Sequence, residues 1–180
     1  ENSKNPAMKA QAARRLEWYR SKLSEILPEG SNDRLFLGVS EAIDQGRYEH
    51  ADSLNHLLLE RVRKFSHPYA MHAYDQALID QALGRESFRE WYALSAIADT
   101  RSAVKDNASI ASLARQLFDD EDVVRAFRYI TVSMDDAIYY NAKLRPWQIA
   151  QIMPVIEDKY AEKSEATDRL RWLLTISLGI

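Results

Sequence analysis

The chain of 180 residues contains no cysteine and few chain breakers, with only five glycines and five prolines. The absence of cysteine excludes disulfides, zinc sites built on thiolates and cysteine nucleophiles. The scarcity of glycine and proline favours helices over a sandwich of short strands, which needs many turns. No apolar run reaches the ~18 residues that a membrane-spanning helix requires. We therefore expect no membrane span within this chain.

An excess of positive charge is also missing. The chain has 24 basic and 27 acidic residues, a net charge of −3, and we expect no nucleic-acid partner because a basic face is the usual footprint of one. Hydrophobic residues make up 46 % of the sequence, which is ordinary for a globular protein. The length is sufficient for a hydrophobic core without disulfides or metals. These properties predict a single domain over residues 1–180.

Clustered glycines are absent as well. The five glycines are Gly30, Gly38, Gly46, Gly84 and Gly179. A phosphate-binding loop and a dinucleotide fingerprint both need glycines close together, because backbone amides must approach the phosphate. The nucleophile motif G-x-S-x-G is missing too. We therefore expect no cofactor and no catalytic residue of these kinds.

What the sequence does contain is helical periodicity, which predicts an all-α fold of eight or nine helices. The clearest apolar stripe has spacings of three or four residues and comprises Val123, Phe127, Ile130, Met134 and Ile138. The helices are predicted to begin after the cap Asn5, to cover 33–45, 47–65, 67–83, 86–101 and 110–117, and to begin again after Asp119 or Asp120, at Pro146 and after the cap Ser164. Pro154 predicts a kink or break in the eighth helix. Short connections indicate an irregular bundle or a short stack of helical hairpins.

The two ends of the chain carry further signals. The chain begins at Glu1 instead of Met, which indicates a processed or trimmed N-terminus. We expect either a cytoplasmic or an exported protein, since the composition suits both. The apolar segment from Trp172 to Ile180 is interpreted as part of a core helix, together with inward-facing Ala166, Leu170, Leu173 and Leu174, and the alternative is the start of a segment that was cut away.

One segment resembles a repeat family. The run Gly46-Arg47-Tyr48-Glu49-His50-Ala51 is similar to the start of the second helix of a tetratricopeptide repeat, which places Gly, Tyr and Ala at this spacing. The resemblance covers about one helical pair and implies a stack of helical hairpins. The closing proline comes late, at Pro68, and a second Gly-Arg pair, at Gly84, lies 38 residues on without a matching continuation. A generic helical hairpin is therefore the preferred interpretation.

All four histidines lie between His50 and His72. Asp52, His56 and Glu60 share one side of the third helix, and His72 with Asp75 is available to face them from the fourth. However, neither E-x-x-H nor H-E-x-x-H occurs, so we predict a solvated polar face without a metal. A metal-dependent enzyme that uses this region remains the alternative.

Arg61 and His67 form R-x5-H, which resembles the Arg–His motif of the HEPN family of helical nucleases. The resemblance implies that the two residues act on an RNA backbone, usually across a dimer. The three spacings that the motif allows give, together, about one chance match in a chain of this composition. RNA cleavage is therefore kept only as part of the enzyme alternative.

The absence of catalytic signatures favours a binding or regulatory module that recognises another protein, such as an adaptor, an inhibitor or an immunity-type partner of a toxin. Self-association also remains open. Aromatic side chains are typical of partner surfaces, although core packing uses them more often. The residues predicted to form such a surface are Tyr48, His56, His72, Trp91 and Tyr140.

Overall fold

A computed structural model of the chain describes residues 6–104, 108–142 and 145–178. Within these ranges the chain forms nine α-helices and no strand, which confirms the all-α prediction. The predicted cap Asn5 lies outside the described residues. The helices are α1 (Pro6–Ile26), α2 (Asn32–Asp44), α3 (Tyr48–Arg61), α4 (His67–Ala82), α5 (Phe88–Arg101), α6 (Ala108–Asp119), α7 (Val123–Tyr139), α8 (Arg145–Ala150) and α9 (Met153–Leu178).

The central helices pair into three hairpins, α2 with α3, α4 with α5, and α6 with α7. Successive hairpins are joined through contacts of α3 with α4 and of α5 with α6. Of the two predicted architectures, the stack of helical hairpins is therefore the one that forms. Helix α1 packs on α2, where the Arg20 guanidinium pairs with the Asp44 carboxylate. Helices α8 and α9 pack on α7 at the other end.

The hydrophobic core follows this stacking. It is divided into three clusters, each centred on one or two neighbouring hairpins, in place of one central mass. Val39, Ala51, Leu58 and Ile79 are fully buried between α2, α3 and α4. Short-range packing of this kind is the general property of repeat proteins, in which each unit contacts only its neighbours.

The repeat is most visible in the turns. In each hairpin a residue with positive φ follows the first helix, and another follows the second helix. These residues are, in that order, Gly46, Gly84 and Glu121 after the first helices, and Phe65, Ala103 and Asn141 after the second. Equivalent residues lie 37 or 38 positions apart. The residue directly after each of Gly46, Gly84 and Glu121 donates a 2.8 Å hydrogen bond from its backbone amide to the carbonyl five residues before it. This hydrogen bond closes the end of the helix.

This equivalence predicts opposite effects of two substitutions. We expect Gly84→Ala to lower the free energy of unfolding by about 1 kcal/mol, because φ is +70° there and no atom lies within 4 Å of an added Cβ, so the cost is purely conformational. We expect Glu121→Gly, at φ +62°, to raise it by about 0.5–1 kcal/mol for the same reason. Urea unfolding measures both, and a loss of stability in Glu121→Gly would contradict the equivalence.

Several predicted helix boundaries are wrong by a few residues. Helix α3 ends at Arg61 and not at 65. The cap of α7 is Asp122, whose carboxylate accepts a 3.1 Å hydrogen bond from the backbone amide of Arg125, and not Asp119 or Asp120. Pro154 is the second residue of α9, where a missing amide costs nothing, so the predicted break falls just before it.

The larger correction concerns α9, which is one continuous helix through Ser164. It is held to α7 by buried Ile156 and by the stacking of Tyr160 on Phe127, with ring centroids 4.3 Å apart. Every described residue beyond Tyr160 is exposed. Ser164 is therefore not a cap. The residues predicted to face inward, Ala166, Leu170, Leu173 and Leu174, are all exposed.

The apolar end of the chain is likewise not a core helix, since Trp172 is 66 % exposed. Ile138, which was predicted to belong to the core stripe of α7, is 64 % exposed. Periodicity identifies the apolar face of a helix but does not show whether another element covers it. Among the helices that the structure describes, none combines the length and apolar character of a transmembrane span. Gly179 and Ile180 lie outside the described residues.

Candidate functional site

A pocket of about 200 Å³ opens where the first helices of the three hairpins, α2, α4 and α6, approach one another. We call it the first-helix pocket. Its walls are Phe36 of α2, His67, Ala70, Met71, Tyr74 and Asp75 of α4, Ser95 and Asp99 of α5, and Ala108 and Ser109 of α6. It therefore draws side chains from all three hairpins.

Small residues bring the helices together beneath this pocket. The Ser95 hydroxyl of α5 donates a 2.8 Å hydrogen bond to the Ala70 carbonyl of α4. The Ser109 hydroxyl of α6 lies 2.5 Å from the Ser95 hydroxyl, so it donates to an oxygen whose own proton is already used. Both serines are buried. The hydrogen bond between them satisfies their buried hydroxyl groups, and their short side chains let α4, α5 and α6 pack closely.

Asp75 is the unusual group of the pocket. In the part of the chain that the structure describes, its carboxylate has no hydrogen bond and no ion pair. Burial raises the pKa of Asp75 to about 7, because the charged form loses solvation. The other ionisable side chains that line the pocket are His67, Tyr74 and Asp99.

The second carboxylate of the pocket, that of Asp99, already has a partner. Asp99 Oδ1 lies 2.9 Å from Nδ1 of His67, whose ring is about half exposed while the Asp99 side chain is almost buried. A protonated His67 neutralises Asp99, and a neutral His67 donates a hydrogen bond to it. The uncompensated negative charge of the pocket therefore resides on Asp75.

A buried polar network holds the neighbouring side of α4 to α3. Gln76 Nε2 donates to Asp52 Oδ1 at 2.6 Å and to Asp80 Oδ1 at 3.0 Å. Arg85 bridges the same two carboxylates, at 3.0 Å from each, and the Ser87 hydroxyl donates to Asp80 at 2.6 Å. Burial alone would raise the pKa of Asp52, but the hydrogen bonds from Gln76 and Arg85 and the Arg85 charge outweigh it, and the net pKa is lowered. This network fixes the orientation of α4, and with it the first-helix pocket.

The structure spreads the predicted partner residues over four segments. His56 is exposed on α3, with Nδ1 2.9 Å from the Asp52 carbonyl, and Tyr48 packs against the α2–α3 core. His72 is buried, with its ring centroid 5.6 Å from that of Phe36, and burial lowers its pKa. Trp91 packs on the α4–α5 cluster, while Tyr140 is half exposed after α7. None of the five lines the first-helix pocket, and their role in binding stays a prediction.

Sequence reasoning missed the residues that do form the pocket, above all Phe36, Met71 and Tyr74. Asp75 was singled out only as a partner for histidines. The signal that finds them is the register set by Gly46 and Gly84, because each of these glycines follows the first helix of a hairpin. With that register, His67, Met71, Tyr74 and Asp75 recur at helical spacing on the one face of α4 that lines the pocket.

Of the groups proposed for the enzyme alternative, Asp52 and His56 form a pair on α3, with His56 Nδ1 3.3 Å from Asp52 Oδ1. Within the described ranges, no three metal-ligating side chains are grouped so that they would hold an ion. Arg61 Nη1 donates a 2.7 Å hydrogen bond to the Gly30 carbonyl, whereas His67 pairs with Asp99. The polar ends of Arg61 and His67 are therefore directed to different partners.

A second groove, of about 440 Å³, lies on α5, α6 and α7 and is mainly apolar. Ile97 and Val132, which are 45 % and 41 % exposed, line it together with Arg101 and Arg128. We call it the α5–α7 groove. It provides a natural control surface, because it is also apolar and the described residues that line it include no carboxylate.

Comparison with curated proteins and with solved structures gives no significant match. A family model described as the SusR N-terminal TPR domain, where TPR denotes the tetratricopeptide repeat, matches residues 1–151. The matched region contains α1 to α8, and hence all three hairpins. The match shows that the hairpins belong to a true repeat family. The preference for a generic helical hairpin, drawn from the sequence, is therefore wrong. The chain belongs to the SusR N-terminal TPR domain family.

Proposed function

We propose that the chain is a non-catalytic binding module, of the adaptor, inhibitor or immunity type, that holds a segment of another protein in the first-helix pocket. Domains of the tetratricopeptide type mediate protein–protein interaction, and the family match makes this chain a helical module of that class. Stacked helical hairpins present extended surfaces that suit such binding.

The observation that carries the proposal is the first-helix pocket itself. It joins the three hairpins, it is walled by apolar and aromatic side chains, and it contains a carboxylate without a partner. Pockets that bind ligands are mostly apolar and carry a few polar groups that fix orientation. The α5–α7 groove offers apolar area beside Arg101 and Arg128, and none of the described residues that line it carries a carboxylate.

Two matched substitutions test the location. Met71 of the first-helix pocket is 40 % exposed and Ile97 of the α5–α7 groove is 45 % exposed, so a lysine at either position is tolerated by the fold. We expect Met71→Lys to reduce capture of the native partner from host extract at least tenfold, because it replaces an apolar contact by a charged side chain beside Asp75. Ile97→Lys should capture the partner like the parent chain.

The captured protein is identified by mass spectrometry, and bound metal is measured on the same sample. Melting temperatures of both variants must match that of the parent. Loss of capture in Ile97→Lys alone would move the site to the α5–α7 groove. Absence of any partner, together with one equivalent of zinc or iron, would replace the binding module by the metal-dependent alternative.

Two further predictions stand beside this proposal. We propose that residues 1–180 act as one domain, since α9 is anchored to α7 through Ile156 and Tyr160. Self-association also remains a prediction, and the exposed apolar end of α9, from Leu170 to Leu178, is the surface that supports it.

A further inference from the structure

We propose that the first-helix pocket receives a lysine or arginine side chain of the partner protein, with the Asp75 carboxylate as its counter-ion. The inference rests on the proposed function and specifies the chemistry of the residue that is bound.

The charges of the pocket favour a cation as the bound group. Of the two carboxylates in the pocket, Asp99 is paired with His67 at 2.9 Å, and Asp75 has no partner in the described ranges. Among the described residues, no arginine or lysine lines the pocket. A partly buried carboxylate is expensive unless a cation or several donors approach it. A cation from a partner relieves this cost, and the pocket leaves space for one to enter.

The size and the lining of the pocket fit one long side chain. A volume of about 200 Å³ is below the roughly 300–1,000 Å³ of typical small-molecule sites, so it suits one long side chain. Phe36, Met71 and Tyr74 offer apolar and aromatic surface in front of the carboxylate. Lysine and arginine have the matching construction, since their methylene stems pack on apolar walls while the charged head reaches an acid. Aromatic rings add a favourable interaction with the cation.

The electrostatic state of Asp75 agrees with this assignment. Burial raises its pKa to about 7, which means that the empty pocket disfavours the ionised carboxylate. A guanidinium or ammonium beside it reverses the effect and restores the charged form. Binding of the basic side chain is therefore expected to release a proton near pH 7.

Blocked amino acids test the chemistry directly. Nα-acetyl-L-arginine N-methylamide is titrated into the ¹⁵N-labelled intact chain and followed by NMR, with the citrulline compound as a neutral analogue of the same shape. We expect the arginine compound to shift the amides of Met71, Tyr74 and Asp75 saturably, and the citrulline compound to bind at least tenfold more weakly. Asp75→Asn should remove the difference, and Asp135→Asn, on the exposed face of α7, should leave it unchanged.

The outcomes separate this inference from the proposed function. Equal binding of the arginine and citrulline compounds, shifts located away from α4, or no shift at all would overturn the basic-residue assignment. If Met71→Lys abolishes partner capture while Asp75→Asn does not affect it, the binding module stands and this inference falls. If neither variant affects capture, both fall.

Discussion

Replacing Asp75 by asparagine should stabilise the protein at pH 8 by about 3 kcal/mol and leave its stability almost unchanged at pH 4. The pKa of this carboxyl rises from 3.8 to about 7 on folding, and each pKa unit corresponds to about 1.4 kcal/mol. The expected gain is smaller than the change in pKa multiplied by this energy per unit, because the side chain keeps some contact with solvent. Asparagine keeps the shape and cannot ionise, so it removes the penalty.

The direction with pH follows from the raised pKa. Below the unfolded value of 3.8 both states bind the proton, and Asp75 has no effect on folding. Between pH 3.8 and about 7 only the unfolded state loses the proton, so the free energy of unfolding decreases as the pH rises. Above about 7 the penalty is constant. His67, Tyr74 and Asp99 line the same pocket, but their contributions cancel when the variant and the parent chain are compared at each pH.

Urea unfolding of both proteins at pH 4, 6 and 8 measures this difference. A variant that is less stable than the parent at pH 8 would show that Asp75 is compensated in the folded protein. A difference that does not vary with pH would show that the substitution acts on packing alone.

Asp80→Ala should lower the free energy of unfolding by about 3 kcal/mol or more. The Asp80 side chain is almost fully buried and accepts hydrogen bonds from Gln76, Arg85 and Ser87. Its removal leaves Ser87 without this acceptor and takes one of two carboxylate acceptors from Gln76 and from Arg85, which keep Asp52. Each hydrogen bond to a charged acceptor contributes about 1.5–3 kcal/mol. Because the network joins α3, α4 and the start of α5, the loss should also reduce the cooperativity of unfolding.

A surface ion pair provides the matched control. Arg89 Nη2 lies 2.8 Å from Asp120 Oδ1, but both side chains are more than 40 % exposed. We expect Asp120→Ala to change stability by less than about 1 kcal/mol. Similar losses of stability in Asp80→Ala and Asp120→Ala would mean that burial of the α3–α4 network does not increase its contribution to stability.

The all-α fold, the helical hairpins and the turns at Gly46 and Gly84 could be predicted because each rests on local chemistry. Helical periodicity and a glycine at the left-handed position need no knowledge of distant residues. The repeat was harder to see because its third turn uses Glu121, and because the 37–38-residue spacing exceeds the 34 residues of the usual repeat. Only the backbone showed that Gly46, Gly84 and Glu121 are equivalent.

The site and the last helix depend on what lies opposite each face, which the sequence does not contain. His56 and His72 are near in sequence, yet one is exposed on α3 and the other buried on α4. The same apolar spacing that buries Ile130 in α7 leaves Leu170 and Leu173 exposed in α9, because no element among the described residues packs there. Asp75 was identifiable as polar from its residue type, but its isolation in a pocket was not.

The most direct test of the account is site-specific photocrosslinking in host extract. A benzoylphenylalanine is introduced at Met71 in one sample and at Ile97 in another, and the crosslinked protein is identified by mass spectrometry. The account predicts that one partner is captured from Met71, through a segment that contains lysine or arginine, and is not captured from Ile97. Crosslinking of that partner from Ile97 and not from Met71 would contradict the claim that the first-helix pocket is the binding site.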